Sequence, residues 1–358
     1  QMSKFLAKAG FRCTILTMDL GITPRSGEDS NDLQIVTVPC MNKRFYLPKP
    51  SFNLFKNIIE QVRNADLIHV MGHWTIINAL SYIAARKCNK PYVVCPAGSL
   101  SNFGRSRLLK SFYNRIVGYS ILRNATVCIA ITTDEITYFT EYGVEREKIF
   151  IIPNGINPEK YSDSNVEAFR RKNRLGDNPY ILFLGRLNPI KGPDLLVHAF
   201  YNVREKLKKH HLVIAGPDEG LLTSLTHFCA TNGILDRVHF VGFLGEKDKS
   251  RACHGSDLLV IPSRREAMSI VALEAGIVGT PVLLTDQCGF NEIEDIQGGK
   301  VVPVSVEGLQ TGLIELFTDS EALKQMGRNL KRFIEDQYLW DVLITKYILL
   351  YKDILAIH

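Results

Sequence analysis

Two carboxylates, Glu266 and Glu274, stand with seven residues between them in the run Ser263–Arg264–Arg265–Glu266–Ala267–Met268–Ser269–Ile270–Val271–Ala272–Leu273–Glu274. The first follows an apolar, strand-like run, Asp257–Ser263. The second lies in a helix-like run, Ile270–Val278. A loop carboxylate, a helix start and a second carboxylate about one turn in can face one crevice and hold hydroxyls and a diphosphate. The backbone N–H groups of Ala267, Met268 and Ser269, at that helix start, suit an anion. Glu274 is flanked by Val271, Ala272, Leu273, Ala275 and Ile277. A carboxylate in so apolar a helix needs a partner, and vicinal ribose hydroxyls supply one; an exposed helix carboxylate is the plain alternative. Glu266 can bind hydroxyls of a sugar and oppose positive charge growing at its anomeric carbon.

Cations stand at a comparable place upstream. In ILFLGRLNPIKGPDLL, Gly185 lets the backbone turn at the end of an apolar strand. Arg186 can fork two donors onto a phosphate, and Lys191 adds a point charge five residues later. An isolated Arg/Lys pair is ordinarily a solvated surface feature. Position decides otherwise here, because open parallel sheets bind anions at the carboxyl ends of their strands. AGPDEG (215–220) follows a strand and can touch a ligand, though a plain strand-to-helix turn is the simpler reading. VHFVGFLG (238–245) ends a strand whose backbone can border a base. His73 is a weaker acceptor-contacting candidate, weighed against an ordinary structural histidine. HExxH, GxSxG and P-loop patterns do not occur, so a metal or a hydrolytic triad has no support.

The elements that position these groups alternate strand and helix, the pattern of an α/β sheet. Strands are expected at 13–17, 34–38, 67–71, 92–95, 127–131 and 149–152. Helices are expected at 52–63, 74–88, 105–123 and 133–142. The turn-rich segment 153–158 (PNGINP) reads as a linker, after which the alternation restarts with strands at 180–185, 211–216, 238–241, 257–262, 281–285 and 300–303. Two mostly parallel sheets of similar size are therefore expected, in domains 1–153 and 154–338. The last helix, 339–358, is expected to pack back on the first domain. The chain opens inside what reads as a first helix, so a preceding strand and Gly-rich loop are expected to be absent from this sequence.

The 358 residues carry 46% hydrophobic and 22% charged side chains, the profile of a globular protein, and no apolar run is long enough to span a bilayer. The eight cysteines are scattered without metal spacing, as reduced thiols of a cytoplasmic protein would be. Charge is uneven. Residues 1–150 hold 19 Lys and Arg against 11 Asp and Glu, and the interval 67–133 has eight cations and no carboxylate. Such a half attracts an anionic surface or substrate. Its stretch 103–123 (FGRSRLLKSFYNRIVGYSILR) reads as a helix with an apolar face and a basic flank. Two readings stay open: peripheral attachment to the anionic inner face of a cell membrane, or core packing with a solvated charged face. Nucleic acid is disfavoured, since no binding module for it is present.

The segments GRLNPIKG, AGPDEG, VHFVGFLG and the E-x7-E run occur in the order found in retaining glycosyltransferases of family 4, which this chain resembles over nearly its whole length. IIPNGIN and the ending LWDVLITKYILLYKDIL are similar too. The resemblance implies a GT-B fold and a metal-independent, cofactor-free transfer of a sugar, with retained configuration, to a glycan or lipid-linked acceptor in cell-surface polysaccharide or glycolipid synthesis. It implies that Gly185, Arg186 and Lys191 hold the diphosphate of a UDP- or GDP-sugar. Glu274 would hold the ribose, Glu266 with the backbone of Ala267, Met268, Ser269 and Ile270 the sugar and phosphate, and Leu244 would lie beside the base. Glu266, Arg186 and Lys191 are the catalytic candidates. His73, Gly98 and Arg105 stand on the acceptor side. Family members often carry histidines where this chain has Ala97 and Met71. The alternatives are a nucleotide-sugar 2-epimerase and a non-catalytic nucleotide-sugar-binding protein.

Overall fold

The computed structural model describes residues 1–21, 32–43, 46–51, 53–100 and 107–357. The chain forms two compact units: Gln1–Pro153 together with Trp340–His358, and Asn154–Leu339.

In the first unit α1 (Met2–Lys8) leads into β1 (Cys13–Asp19), which pairs in parallel with β2 (Leu33–Asn42). The short β3 (Leu47–Pro48) runs antiparallel to β2. Then follow α2 (Leu54–Arg63), β4 (Ile68–Met71), α3 (Ile76–Lys87), β5 (Tyr92–Cys95), α4 (Arg107–Tyr113), α5 (Tyr119–Arg123), β6 (Val127–Ala130), α6 (Glu135–Glu141) and β7 (Ile149–Ile151). Strands β4 to β7 make a parallel sheet in chain order. Its central strands YVVC and VCIA are buried along their whole length, as strands covered on both faces must be. Among the described residues the strands hydrogen-bond as two separate sheets.

The single helix expected over 105–123 is also corrected. Between α4 and α5 the turn Asn114–Gly118 winds as a π-helix. Gly118 permits it: a Cβ there would stand 2.2 Å from Asn114 Oδ1 and 3.1 Å from His73 Nε2. The wider turn leaves room for the Asn114 amide to lie inward. The two halves differ accordingly. No residue of α4 is buried, whereas Ile121 and Leu122 of α5 are fully buried. Arg105 lies outside the described residues.

The second unit opens with α7 (Val166–Asn173), a helix absent from the expected elements, and continues β8 (Tyr180–Leu184), α8 (Pro193–Val203), β9 (His211–Ala215), α9 (Leu222–Thr231), β10 (Val238–Gly242), α10 (Glu246–Gly255), β11 (Leu258–Ile261), α11 (Ile270–Gly276), β12 (Val282–Thr285), β13 (Gly299–Val302), α12 (Val306–Leu316) and α13 (Ser320–Gln337). Its six strands are all parallel, in the order β10-β9-β8-β11-β12-β13. The order reverses between β8 and β11, which makes the carboxyl ends of those two strands the topological switch point where such sheets bind ligands. Side chains fix where the flanking helices begin. Ser305 Oγ accepts from Gly308 N at 2.9 Å ahead of α12, and Asp319 caps α13 at Glu321 N and Ala322 N.

The chain's last helix, α14 (Trp340–Ile357), belongs to the first unit. Trp340 stacks on Phe5 of α1 with ring centroids 6.1 Å apart, and the Tyr351 hydroxyl hydrogen-bonds His69 Nδ1 on β4. Among the described residues no helix is long and apolar enough to cross a membrane.

Burial pushes His69 and His73 of this unit down to about 4. Below the ordinary histidine range the unfolded chain takes up these protons before the folded one does, so stability falls as pH drops from about 6.5 toward 4. The urea midpoint of the first unit's transition is therefore expected to be lower at pH 5 than at pH 7. His69→Phe, which keeps an aromatic ring against Tyr347 and Tyr351, should flatten that dependence.

Candidate functional site

The second unit brings one predicted cation, Lys191, and one predicted carboxylate, Glu266, together at the switch point. Lys191, in the loop after β8, places its Nζ 2.7 Å from Glu266 Oε1 in the loop after β11. Ser263 donates its hydroxyl to the same oxygen at 2.5 Å. Backbone contacts bring the two loops this close. Arg264 N donates to Ile190 O at 2.8 Å, and the Arg264 guanidinium grips Asp194 of α8 through two nitrogens at 2.9 and 2.6 Å.

Two glycines make the approach possible. Gly192 has φ of +69° and lies so close to the β11 loop that a Cβ would stand 2.0 Å from Pro262 O. On the other side Gly289, with φ of +59°, meets Ala267, whose carbonyl oxygen would be 1.9 Å from a Cβ. Any side chain at either position would drive the loop away, quite apart from the cost of a left-handed backbone. Glu266 itself is anchored through its N–H, which donates to Gln287 O at 2.8 Å. Met268 and Ser269 are buried behind this loop, and Ile270 at the head of α11 is exposed. The Ser269 hydroxyl is buried and has no hydrogen-bond partner among the described residues.

Arg186 and Gly185 follow directly on β8, where Gly185 N donates to Ala215 O. The Arg186 guanidinium bonds both carboxylate oxygens of Glu219, at 3.0 and 3.2 Å. Asn188 holds the same carboxylate at 2.6 Å, and these two donors keep Glu219 below the usual carboxylate range, the amide contributing most. The AGPDEG turn is consequently more than a plain connection. Asp218 closes it by accepting from Gly220, Leu221 and Leu222, while Glu219 reaches back to the β8 loop. The Arg186 side chain is 55% exposed. A pair so exposed is worth at most about 1 kcal/mol, so an anion can recruit the guanidinium readily. Lys191 and Glu266 lie deeper, with side chains 24% and 8% exposed.

Glu274 is buried, and its partner is one the sequence did not disclose. Lys249 of α10 sets Nζ 2.5 Å from Glu274 Oε1, and the Tyr161 hydroxyl lies near the same carboxylate. Burial first, then the Glu274 charge, pushes Tyr161 far above the usual phenol range. Leu244 is buried just beyond β10, beside the exposed Phe243.

In the first unit His73 is placed inside the fold. Only 1% of it is exposed; Nε2 meets Asn114 Oδ1 at 3.1 Å, and Trp74, Tyr113 and Tyr142 pack edge-on around it. In this structure its ring is packed as part of the first unit's framework. Gly98 lies in a turn whose residues Ala97 and Gly98 both have positive φ, 49° and 82°. The buried Glu135 braces that turn, accepting from Gly98 N and, at 2.7 Å, from Ile131 N. Burial raises Glu135 against the opposing pull of those two N–H groups. Glu135 carried no sequence signal beyond standing in the first turn after a strand, and Glu219 stood in the AGPDEG segment without being singled out as a partner of Arg186.

Gly289→Ala tests the clamp on Ala267. The left-handed backbone alone costs about 1–2 kcal/mol, so urea denaturation should show the second unit destabilised by at least about that much. An unchanged midpoint would mean that the loop does not depend on this contact.

Comparison with known proteins places this geometry in a family. A model described as glycosyl transferases group 1 matches residues 165–333, and one described as glycosyltransferase family 4 matches residues 1–160. The GDP-mannose-dependent alpha-(1-6)-phosphatidylinositol monomannoside mannosyltransferase of Mycobacterium tuberculosis is 31% identical over 268 residues, covering 68% of this chain and 69% of that protein. The glycosyltransferase MJ1607 of Methanocaldococcus jannaschii is 30% identical over 221 residues, and the matched segment spans 59% of this chain but only 55% of that protein. Among solved structures, Anabaena HepE in complex with UDP and glucose superposes with a TM-score of 0.77 at 18% identity, over 95% of this chain and 99% of that one. With its two parallel-sheet α/β units of the GT-B kind, this chain belongs to the family 4, group 1 glycosyltransferases.

Proposed function

We propose that this chain moves a sugar, with retained anomeric configuration and without a metal, from a UDP- or GDP-sugar to a lipid-linked or glycan acceptor at the cytoplasmic face of a membrane. The observation that carries the donor half is the meeting of Lys191 and Glu266 at the switch point of the six-stranded sheet, 2.7 Å apart. Arg186 and Lys191 supply positive charge where the leaving diphosphate gains negative charge. Glu266 faces the transferred sugar and Glu274 the ribose. The acceptor hydroxyl attacks on the face the diphosphate leaves, and a donor phosphate oxygen takes its proton, as in the family this chain resembles.

The acceptor half rests on two supports. One relative is named for a mannosyl transfer onto phosphatidylinositol monomannoside. In addition, α4 exposes Leu108 by 87%, Leu109 by 60% and Phe112 by 65%, and Ile116 in the following π-turn by 63%. Arg107, Lys110 and Arg115 lie in the same stretch, which contains no carboxylate. Apolar side chains among cations are the chemistry of a helix lying on an anionic lipid surface, and the absence of buried residues in α4 speaks against core packing.

Two experiments test this reading. In a thermal-shift screen of UDP-, GDP- and ADP-sugars, one donor should raise the unfolding temperature, and Arg186→Ala or Glu274→Ala should weaken its binding by roughly tenfold or more. Either variant binding like the parent would remove that residue from the site. The responding donor should also be consumed only with a glycan or lipid acceptor present; an epimer formed without one would replace transfer by isomerisation. Separately, the protein should sediment with vesicles containing anionic phospholipid. Leu108→Asp with Phe112→Asp should lower the bound fraction several-fold, and undiminished sedimentation would discard the membrane face.

A further inference from the structure

Each charged side chain assigned to the donor already has a protein partner: Arg186 with Glu219, Lys191 with Glu266, and Glu274 with Lys249. The pairs differ in kind. Glu219 and Lys249 are partners from outside the assigned set. Lys191 and Glu266, by contrast, are assigned to adjacent parts of the same donor, the diphosphate and the sugar, and they bind each other. We infer that the diphosphate and Glu266 compete for Lys191, so that arrival of the diphosphate is what frees the Glu266 carboxylate to receive the sugar. This rests on the donor-site reading above and adds to it an order of events.

The physical argument is one of exchange. A lysine ammonium has three donors but one centre of charge. At 2.7 Å from Glu266 Oε1 that charge is directed at a carboxylate whose side chain is 8% exposed. A diphosphate approaching from the Arg186 side offers Lys191 more negative charge than Glu266 does. As the ammonium turns toward it, Glu266 keeps one donor, the Ser263 hydroxyl at 2.5 Å, and its remaining lone pairs become available to sugar hydroxyls. The backbone need not move, because Glu266 N stays on Gln287 O and Arg264 N stays on Ile190 O. Glu266 is thereby a poor sugar ligand until a diphosphate is bound, which favours an intact nucleotide sugar over a free sugar.

The coupling has a sign that simple participation of Glu266 in sugar binding does not predict. Removing the Glu266 charge should tighten a ligand that carries the diphosphate and no sugar. Calorimetry with the nucleoside diphosphate of the responding donor is the test, on the parent, Glu266→Gln, Lys191→Ala and the double variant. Circular dichroism and the unfolding temperature of each variant establish that it is folded. Glu266→Gln is expected to bind the nucleoside diphosphate roughly three- to tenfold tighter than the parent and to lose transfer activity. In the Lys191→Ala background the same substitution should change affinity less than twofold, since there is no ammonium left to contest. Tightening of equal size in both backgrounds would mean general repulsion between Glu266 and phosphate, and would overturn the exchange. So would an unchanged or weaker affinity in Glu266→Gln. Failure of the parent to bind any nucleoside diphosphate would instead overturn the donor-site reading, and the exchange with it.

Discussion

The site depends on how closely the loop after β11 is held against the loop after β8. Parallel strands adjacent in a sheet stand less than 5 Å apart, but the loops leaving them ordinarily diverge toward opposite faces at a switch point. Here divergence is checked from both sides. Gly192 lies against Pro262 O, and Gly289 backs Ala267. Arg264 ties the loop to Ile190 and Asp194. Only with that spacing fixed do Lys191 and Glu266, 75 positions apart in the chain, come within one hydrogen bond of each other. The charges are consequences of a backbone approach, not its cause: the exposed Arg264–Asp194 pair is worth little alone, whereas a misplaced Cβ at either glycine would move the whole loop.

Once assembled, the charges nearly balance, and that balance has an energetic reason. A carboxylate with a tenth of its side chain exposed, as Glu274 is, is costly to bury without a close cation or several donors. Lys249 meets that need. Pairs of this kind add little net stability when intact and are costly when broken, so they specify where a carboxylate points more than they hold the fold together. The fold is held by the apolar strands YILFL, LLVI and VLLT and by helices such as α8, whose Leu196, Val197, Ala199, Phe200 and Val203 are buried.

Local pattern made some of this legible and could not reach the rest. Fully apolar runs bounded by Gly and Pro marked β8, β11 and β12, and the same punctuation put Arg186, Lys191 and Glu266 at strand ends. Helix α7 escaped because VEAFRRKN has a single buried anchor, Phe169, and so no apolar stripe to detect. The split of the 105–123 helix escaped because the period of its apolar residues continues across the π-turn, while the reason for the turn, Gly118 against Asn114 and His73, is tertiary. Ion-pair partners are the least legible class. Lys249 lies 25 positions from Glu274 on another helix, and Glu219 lies 33 from Arg186. The sequence states that Glu274 needs a partner and is silent on which one.

The first unit follows the same logic with hydrogen bonds in place of ion pairs. Behind the Ala97–Gly98 turn, His73 bonds Asn114, Asn114 donates to the Tyr142 hydroxyl at 2.7 Å, and that hydroxyl reaches Leu100 O. Tyr113 donates to His73 O, and Trp74 to Ser99 O. Apart from the Asn114–Tyr142 link, each of these contacts ties down the segment after β4 or the segment after β5, the strand ends where a parallel sheet presents its functional loops. Ala97 has φ of +49°, which costs a non-glycine residue about 1–2 kcal/mol. A turn so strained persists only where its surroundings over-determine it, and Glu135, bonding Gly98 N from below, supplies that determination. His73 serves this segment from inside the fold: its neutral, buried ring holds Asn114, and through Asn114 and Tyr142 the backbone at Leu100.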